Sequence, residues 1–270
     1  SLILGFFVTL FIIPRWIKKA EYIGLMWDDM NKFDKHKVAG SGGIAVTAGF
    51  IAGVFFYIAV NTFYFKSTDN TIEIFALTSS ILITFAIGII DGLMSWRGGM
   101  KRGAGIRRRY RLMLLIVAAI PLMVINAGNH SVSFQLLNGN LSLLYPLILI
   151  PLGIVGATAT FNFLAGFNGL EAGQGIIILT ALSIVAYFTG SSWIALMGLI
   201  MVVCLLAFLI FNFYPARLFP GDSLTYPVGA LIAIMAILGN FEKIAVFFFI
   251  PYILETVLKC RGKLQKQSFG

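Results

Sequence analysis

Long apolar runs separated by short polar segments extend along the whole chain, and this pattern predicts membrane-spanning helices. Nine stretches are almost continuously apolar: residues 1–17, 42–63, 73–91, 109–126, 143–165, 174–189, 192–213, 225–239 and 244–258. A helix that crosses a bilayer needs about 20 predominantly apolar residues, whereas the strands of a membrane barrel are shorter and alternate between apolar and polar positions. The pattern therefore predicts an all-α, polytopic transmembrane helical bundle with about nine spans.

The composition excludes a soluble globular protein. Of the 270 residues, 59% are hydrophobic and 11% are charged, whereas soluble domains carry about 25% charged residues. So little polar surface could not cover the one or two soluble domains that this length would otherwise allow. We therefore interpret residues 1–270 as a single transmembrane domain surrounded by membrane lipid.

The basic residues indicate the orientation of this predicted bundle. Eighteen of the 20 Lys and Arg residues fall in one set of alternate loops: Arg15, Lys18, Lys19, Lys32, Lys35, Lys37, Arg97, Lys101, Arg102, Arg107, Arg108, Arg109, Arg111, Arg217, Lys259, Arg261, Lys263 and Lys266. The opposite set contains only Lys66 and Lys243. Because Lys and Arg concentrate on the cytoplasmic side of membrane proteins, the N-terminus is predicted to be outside. The net charge of +9 then reflects topology and does not indicate a nucleic acid partner.

The acidic residues are scarce, and eight of the eleven share the predicted cytoplasmic side. Asp91, Glu171 and Asp222 stand out because each interrupts or borders an apolar stretch. A carboxylate inside the hydrocarbon region costs about 2.5–3.5 kcal/mol, so such residues are candidates for a functional role. Together with the neighbouring Asn and Gly residues and the basic loops, they would suit Mg²⁺ carrying a phosphorylated ligand.

Two other interpretations of these acids remain open from the residues alone. All three acids could lie at the membrane interface, where water solvates them, or they could couple ion movement in a transporter. Transporters tend to contain two repeated halves with ionisable groups near the membrane midplane. The chain has no convincing internal repeat and its acids gather at one face, which favours chemistry at the membrane surface.

Two long motifs give the chain a resemblance to a known family. They are Asn162-Phe-Leu-Ala-Gly-Phe-Asn-Gly-Leu-Glu-Ala-Gly173 and Asn212-Phe-Tyr-Pro-Ala-Arg-Leu-Phe-Pro-Gly-Asp222. Shorter matches are Asp29-Met-Asn-Lys32, Ser41-Gly-Gly43, Gly88-Ile-Ile-Asp91 and Pro251-Tyr-Ile-Leu-Glu255. In this order they resemble the polyprenyl-phosphate N-acetylhexosamine-1-phosphate transferase family, and in particular its eukaryotic and archaeal branch, which acts on dolichyl phosphate.

This resemblance implies an enzyme whose site faces the cytoplasm, in an archaeal plasma membrane or in the endoplasmic reticulum. The implied reaction is the Mg²⁺-dependent transfer of a sugar 1-phosphate from a UDP-sugar to a polyprenyl or dolichyl phosphate. The branch favours GlcNAc-1-phosphate as the transferred group, with release of UMP, as the first step of lipid-linked glycan assembly. A homodimer is compatible with the sequence.

The same resemblance implies roles for individual residues. Two residues are implied to be metal ligands: Asp222 and Asn162. Two are implied to be catalytic: Asp91 and Lys101. Four are implied to bind substrate: Met30, Lys32, Gly166 and Asn168. For Lys32, a charge that serves only topology is the alternative interpretation.

The chain departs from the family pattern at several positions. Gly92 stands where the family has a second adjacent Asp, Ala39-Gly40 replaces Pro-Glu, and Ser95 and Ala159 each replace an Asn. A same-fold membrane protein that binds nucleotide or lipid without turnover is therefore the alternative function.

The C-terminal end raises a separate expectation. Members of this branch have ten spans, with a cytoplasmic loop before the last span that contributes to sugar recognition. Because the sequence stops at Gly270, where that loop would begin, we expect truncation at the C-terminus, and the start at Ser1 is compatible with trimming at the N-terminus.

Overall fold

A computed structural model describes residues 1–29, 36–99, 105–126 and 143–262. Within these residues the chain forms ten α-helices and two short strands. They are α1 (Leu2–Ile23), β1 (Met26–Asp28), β2 (Lys37–Ala39), α2 (Gly43–Ala59), α3 (Thr71–Arg97), α4 (Arg108–Ile125), α5 (Ile150–Phe161), α6 (Leu170–Phe188), α7 (Ser192–Asn212), α8 (Asp222–Gly239), α9 (Glu242–Phe248) and α10 (Ile250–Arg261). A π-helical turn (Val60–Tyr64) extends α2, and another (Tyr145–Leu149) leads into α5.

The predicted all-α membrane architecture is confirmed. Five helical segments of the described chain are long and apolar enough to cross a membrane: Gly43–Tyr64, Thr71–Arg97, Leu170–Phe188, Ser192–Asn212 and Asp222–Gly239. Tyr145–Phe161 is a shorter apolar helix. The other expected spans correspond to α1, α4 and the α9–α10 pair. The count of nine spans and the outer location of the N-terminus stay predictions.

α8 is the innermost helix of the bundle. Every residue from Ser223 to Ala236 is buried, and α8 packs against α2, α3, α5, α6 and α7. The surrounding helices expose large apolar side chains, among them Phe7, Phe63, Leu152 and Ile177. Because every backbone polar group of a helix is satisfied within the helix, such apolar outer faces can contact lipid.

Two glycines allow neighbouring helices to approach the beginning of α8 closely. A Cβ atom on Gly43 of α2 would overlap the backbone carbonyl of Ser223, and a Cβ atom on Gly88 of α3 would overlap that of Asp222. Small residues at helix interfaces let backbones come together in membrane proteins. Gly43 and Gly88 therefore determine where the first residue of α8 lies relative to α2 and α3.

The hairpin formed by β1 and β2 was not anticipated from the sequence. The strands pair antiparallel, with Trp27 opposite Val38. The indole N–H of Trp16 donates to the carbonyl oxygen of Gly40 (2.9 Å), and that of Trp96 donates to the carbonyl oxygen of Gly24 (2.8 Å). These bonds attach the base of the hairpin to α1 and α3.

The hairpin also contacts the segment that precedes α8. The Phe219 N–H donates to the Ala39 carbonyl oxygen (2.7 Å), and the Gly42 N–H donates to the Phe219 carbonyl oxygen (2.9 Å). The sequence after β2 therefore runs directly beside the residues that lead into Asp222. This contact brings two motifs that are distant in the sequence to the same end of the bundle.

One helix boundary differs from the predicted stretch in a way that matters for function. The third apolar stretch is predicted to end at Asp91, but α3 continues to Arg97, so that Asp91 lies inside a helix. Glu171 and Asp222, which border apolar stretches in the sequence, lie in the first turns of α6 and α8 respectively. Apolar periodicity marks where hydrocarbon contact ends, whereas the helices extend further into polar sequence.

Candidate active site

Three of the predicted site residues come together at one end of the bundle. Asp91 comes from α3, Asp222 is the first residue of α8, and Asn162 directly follows α5. The carboxylates of Asp91 and Asp222 both lie within 3.5 Å of the Tyr226 hydroxyl oxygen. Asn162 lies beside Asp222. Thr225 Oγ1 donates to Asn162 Oδ1 over 3.1 Å.

Asp91 is buried, with 2% of its side chain exposed, and it accepts hydrogen bonds at both carboxylate oxygens. The Ile106 N–H donates to Oδ1 over 2.6 Å. Arg111 Nη1 donates to Oδ2 over 2.8 Å and forms an ion pair with it. A charge-assisted bond of this kind is stronger than a bond between neutral groups and fixes the orientation of the carboxylate.

Tyr226 lies one helical turn after Asp222 and links the two acids. Its hydroxyl oxygen is 3.3 Å from Asp91 Oδ2 and 3.5 Å from Asp222 Oδ2, and the residue is buried. A phenol carries a single proton, so it donates to one of the two carboxylates at a time. Tyr226 thereby keeps the acids of α3 and α8 in a defined relative position.

The available donor groups fit a hard divalent cation. The part of the chain that the structure describes contains no group of three or more His, Cys, Asp or Glu side chains suited to a metal. It does bring together two carboxylates and one amide, opposed by the single guanidinium of Arg111. Two carboxylates in contact repel each other unless a proton or a cation lies between them. Mg²⁺ is commonly held by one or two carboxylates and completes its shell with water and phosphate oxygens.

The loop of residues 162–169 carries two of the predicted substrate-binding residues. The Gly166 N–H donates to Glu171 Oε1 (3.1 Å), and Asn168 Nδ2 donates to Asp29 Oδ2 (3.3 Å). Gly166 and Gly169 have φ angles of 119° and 82°, which residues with side chains rarely adopt. Glu171 therefore supports this loop and does not join the pair of acids formed by Asp91 and Asp222.

Three predicted site residues, Met30, Lys32 and Lys101, lie outside the described residues. The N–H of Asp29 donates to the carbonyl oxygen of His36 over 2.9 Å. This bond pairs the residue that follows β1 with the residue that precedes β2. Asp29 itself also contacts Asn168 of the 162–169 loop.

Arg111, Tyr226 and Asp29 lie at the site but are not identified as site residues by the sequence patterns. Arg111 was interpreted only as a topological charge, although it is the last basic residue before the apolar part of α4. Tyr226 follows Asp222 by four residues, a spacing that places both on one helix face and could have identified it. Asp29 and Asn168 are separated by 139 residues, and no sequence signal connects them.

The fold and this site define an integral membrane protein with a carboxylate and amide site at one end of a helical bundle. The chain belongs to glycosyl transferase family 4, whose family model matches residues 74–240. The matched region contains Asp91, Asn162 and Asp222. It is also the region in which α3 to α8 pack around the site.

Individual relatives are similar to the chain over its full length. Two archaeal proteins are provisionally named UDP-N-acetylglucosamine–dolichyl-phosphate N-acetylglucosaminephosphotransferases. The one from Sulfolobus acidocaldarius is 34% identical, with 100% of this chain and 80% of the relative aligned. The one from Saccharolobus solfataricus is 36% identical, with coverages of 100% and 79%. A Dictyostelium discoideum protein of the same name is 30% identical, with coverages of 92% and 68%.

Proposed function

We propose that this protein transfers GlcNAc-1-phosphate from UDP-GlcNAc to a polyprenyl or dolichyl phosphate, with release of UMP. The proposal is supported by family membership and by relatives named for this reaction. The observation that carries it is the convergence of Asp91, Asn162 and Asp222 beside the 162–169 loop. This arrangement offers a cation site next to a loop that can accept a nucleotide.

The proposed reaction is a phosphoryl transfer between two phosphate groups. An oxygen of the lipid phosphate forms a bond to the β-phosphorus of the UDP-sugar. The bond from that phosphorus to the oxygen that bridges it to the α-phosphate breaks, and UMP leaves with this oxygen and its electron pair. Since the second pKa of a phosphate monoester is about 6, the lipid phosphate is largely ionised at neutral pH and needs no strong base. The protein's task is then mainly to position the reactants and to balance charge.

We assign the metal site to Asp222 and Asn162, with Mg²⁺ as the proposed cofactor. When bound, Mg²⁺ would neutralise the diphosphate and stabilise the departing UMP. Asp222 supplies a carboxylate at the N-terminal end of α8, and Asn162 Oδ1 keeps a second lone pair besides the one used by Thr225. Asp91 is held by Arg111 and the Ile106 N–H, so it can orient the lipid phosphate without moving.

Arg111 shares with Lys101 the proposed task of facing the phosphate groups. Its guanidinium is ion-paired with Asp91, and 25% of its side chain is exposed, so the residue is not fully enclosed by the protein. Arg presents several N–H donors in a planar fork that matches phosphate oxygens. We propose that Gly166 and Asn168, with Met30 and Lys32, contact the nucleotide end of the donor.

One ground for the alternative of a protein that binds without turnover is the missing second acid at Gly92; the others are the departures at Ala39-Gly40, Ser95 and Ala159. The acid pair in this site comes from α3 and α8, and not from two adjacent residues of α3. With Gly92 at this position, the carboxylates of Asp91 and Asp222 still lie beside Asn162. Their presence supports catalytic turnover as opposed to binding alone.

We also propose that the site faces the cytoplasm. Basic residues lie around the site end of the bundle, with Lys18 and Lys19 in the C-terminal half of α1, Arg97 at the end of α3 and Arg217 before α8. Such a concentration is typical of the cytoplasmic ends of membrane helices. The nucleotide sugar is a soluble substrate, so it would reach the site from this side.

The function can be tested with the purified chain in detergent, given UDP-GlcNAc, Mg²⁺ and a polyprenyl phosphate. UMP release should be measured for the wild type, for Asp222→Ala and after addition of EDTA. Because a metal contributes several kcal/mol of transition-state stabilisation, Asp222→Ala should reduce turnover about 10³-fold or more. A wild type that releases no more UMP than Asp222→Ala would contradict the enzyme proposal. Nucleotide binding without UMP release would favour the non-catalytic alternative.

A further inference from the structure

Asn212, the last residue of α7, joins two backbone segments that both lead to the site. It is fully buried. Its Oδ1 accepts from the Gly169 N–H over 3.0 Å, and its Nδ2 donates to the Leu218 carbonyl oxygen over 2.8 Å. One planar amide therefore satisfies a donor on one segment and an acceptor on the other.

The two segments carry different parts of the site. Gly169 ends the 162–169 loop, which begins with Asn162 and includes Gly166 and Asn168. Leu218 begins the 218–222 segment, which ends at Asp222. Leu218 also forms a parallel β-bridge with Ala39, next to the hairpin. A shift between these segments would change the position of the metal ligands relative to the loop that carries the nucleotide-binding candidates.

We infer that Asn212 is a positioning residue that couples the 162–169 loop to the 218–222 segment; this inference rests on the proposed function. The amide holds both backbones because its oxygen and nitrogen are fixed on one plane. An Asp side chain has almost the same size and can accept from Gly169, but its second oxygen repels the Leu218 carbonyl. A Leu side chain fills the space and leaves both backbone groups unpaired, at a cost typical of buried polar groups.

The chain offers a second buried Asn, distant from the site, for comparison. Asn126 caps the C-terminal end of α4, is also buried, and donates from Nδ2 to the Leu122 carbonyl oxygen over 2.9 Å. Arg111, the α4 residue at the site, lies 15 positions earlier, about 22 Å away along a helix that rises 1.5 Å per residue. Asn126→Asp therefore removes a comparable bond at the opposite end of the bundle.

The test compares Asn212→Asp and Asn212→Leu with Asn126→Asp and Asn126→Leu. For each variant, the KM for UDP-GlcNAc, the Mg²⁺ concentration giving half-maximal turnover, kcat and the thermal midpoint would be measured in the same detergent. We expect Asn212→Asp to raise KM and the Mg²⁺ requirement about tenfold, the loss expected from one broken buried bond. Asn126→Asp should change neither value by more than about twofold, even where its thermal midpoint falls equally.

Hydrogen exchange provides a readout that does not depend on turnover. Peptides from residues 162–173 and 213–224 should both lose amide protection in Asn212→Asp, while peptides from α1 keep theirs. Asn126→Asp should leave both regions protected. Where Asn212→Asp cannot be purified, Asn212→Ser takes its place, because its hydroxyl oxygen stands where Asn has its amide carbon and is too short to span both backbone groups.

The outcomes separate this inference from the proposed function. An Asn212→Asp protein with wild-type KM and wild-type Mg²⁺ requirement overturns the inference, whatever its thermal midpoint. If the wild type releases no UMP, the proposed function is contradicted. Hydrogen exchange then still tests whether Asn212 couples the two segments. Loss of protection in both segments supports the coupling. If amide protection is unchanged, or is lost equally throughout the protein, the inference of coupling is overturned.

Discussion

The two ends of the helical bundle treat polar side chains in opposite ways. At the site end, Asp91, Arg111, Asn162 and Tyr226 come from four different helices or helix ends, and their side chains bond to one another or to other residues of α8. At the opposite end of the bundle, the polar side chains of the described residues bond mainly within their own helix or loop. Asn126 bonds within α4, Ser67 bonds Asp69 in the same loop (2.8 Å), and one pair, Tyr145 with Glu242, connects two segments (2.9 Å).

The difference shows which polar groups the fold needs and which the site needs. A polar group that bonds within its own helix costs little to keep in a membrane protein and stabilises only its surroundings. Two carboxylates held together are destabilising on their own, because like charges repel. Residues such as Asp91 and Asp222 are therefore best explained by what they bind. The comparison predicts that equal chemical changes at the two ends have unequal effects on turnover.

The largest of these effects is expected from Arg111→Ala. This substitution removes the cation that orients Asp91 and leaves a buried carboxylate without its ion pair. A hydrogen-bond donor directed at the charge that develops in a transition state typically accelerates a reaction about 10²–10³-fold. We therefore expect kcat for UMP release to fall by about that factor. Arg109→Ala is the control, since Arg109 is exposed and lies over the ring of Tyr110. Equal losses in both variants would mean that Arg111 acts only through surface charge.

A smaller effect is expected from Gly88→Ala. The added methyl group would overlap the Asp222 carbonyl, so either α3 or the beginning of α8 must shift. Overpacking of this kind costs about 1–3 kcal/mol, which corresponds to roughly 5–150-fold in turnover if the shift displaces Asp222. Gly156→Ala on α5 is the matched control, because nothing lies within 4 Å of its added Cβ atom. Normal kinetics in Gly88→Ala, measured as kcat and Mg²⁺ requirement, would show that the contact can relax.

The smallest effect, and the closest comparison of the two ends, is expected from Tyr226→Phe and Tyr145→Phe. Each variant removes one hydroxyl that contacts a carboxylate, in the site for Tyr226 and at the opposite end for Tyr145. A hydrogen bond of about 1 kcal/mol corresponds to roughly fivefold, so Tyr226→Phe should reduce kcat by about that factor. Tyr145→Phe should lower the thermal midpoint and leave kcat within about twofold. The reverse pattern would contradict the distinction between the two ends.

The sequence predicted the helices well and the contacts between them only in part. Apolar stretches identify spans because the membrane demands them, and the scarcity of acids drew attention to Asp91 and Asp222. Hydropathy could not reveal that Asp91 lies within α3, since a polar residue ends an apolar run whether or not the helix continues. The resemblance identified Asn162, which no physical pattern had marked.

The hairpin of β1 and β2 could not be predicted because its stability comes from distant residues. Each strand has three residues, too few for a periodic pattern. The hairpin is instead held by the indole groups of Trp16 and Trp96 and by the backbone of Phe219. The contact of Arg111 with Asp91 depends in the same way on how α4 packs against α3, which one sequence does not reveal.

The burial of α8 has a consequence for how the protein is made. α8 has a mean hydropathy of 1.5, the lowest of the five long apolar helices, whereas α7 reaches 3.1. The helices α2, α3, α5, α6 and α7 that surround it all precede it in the chain. Because synthesis proceeds from the N-terminus, these neighbours leave the ribosome first. A helix as polar as α8, which begins with Asp222, is thus translated after the helices that shield it from lipid.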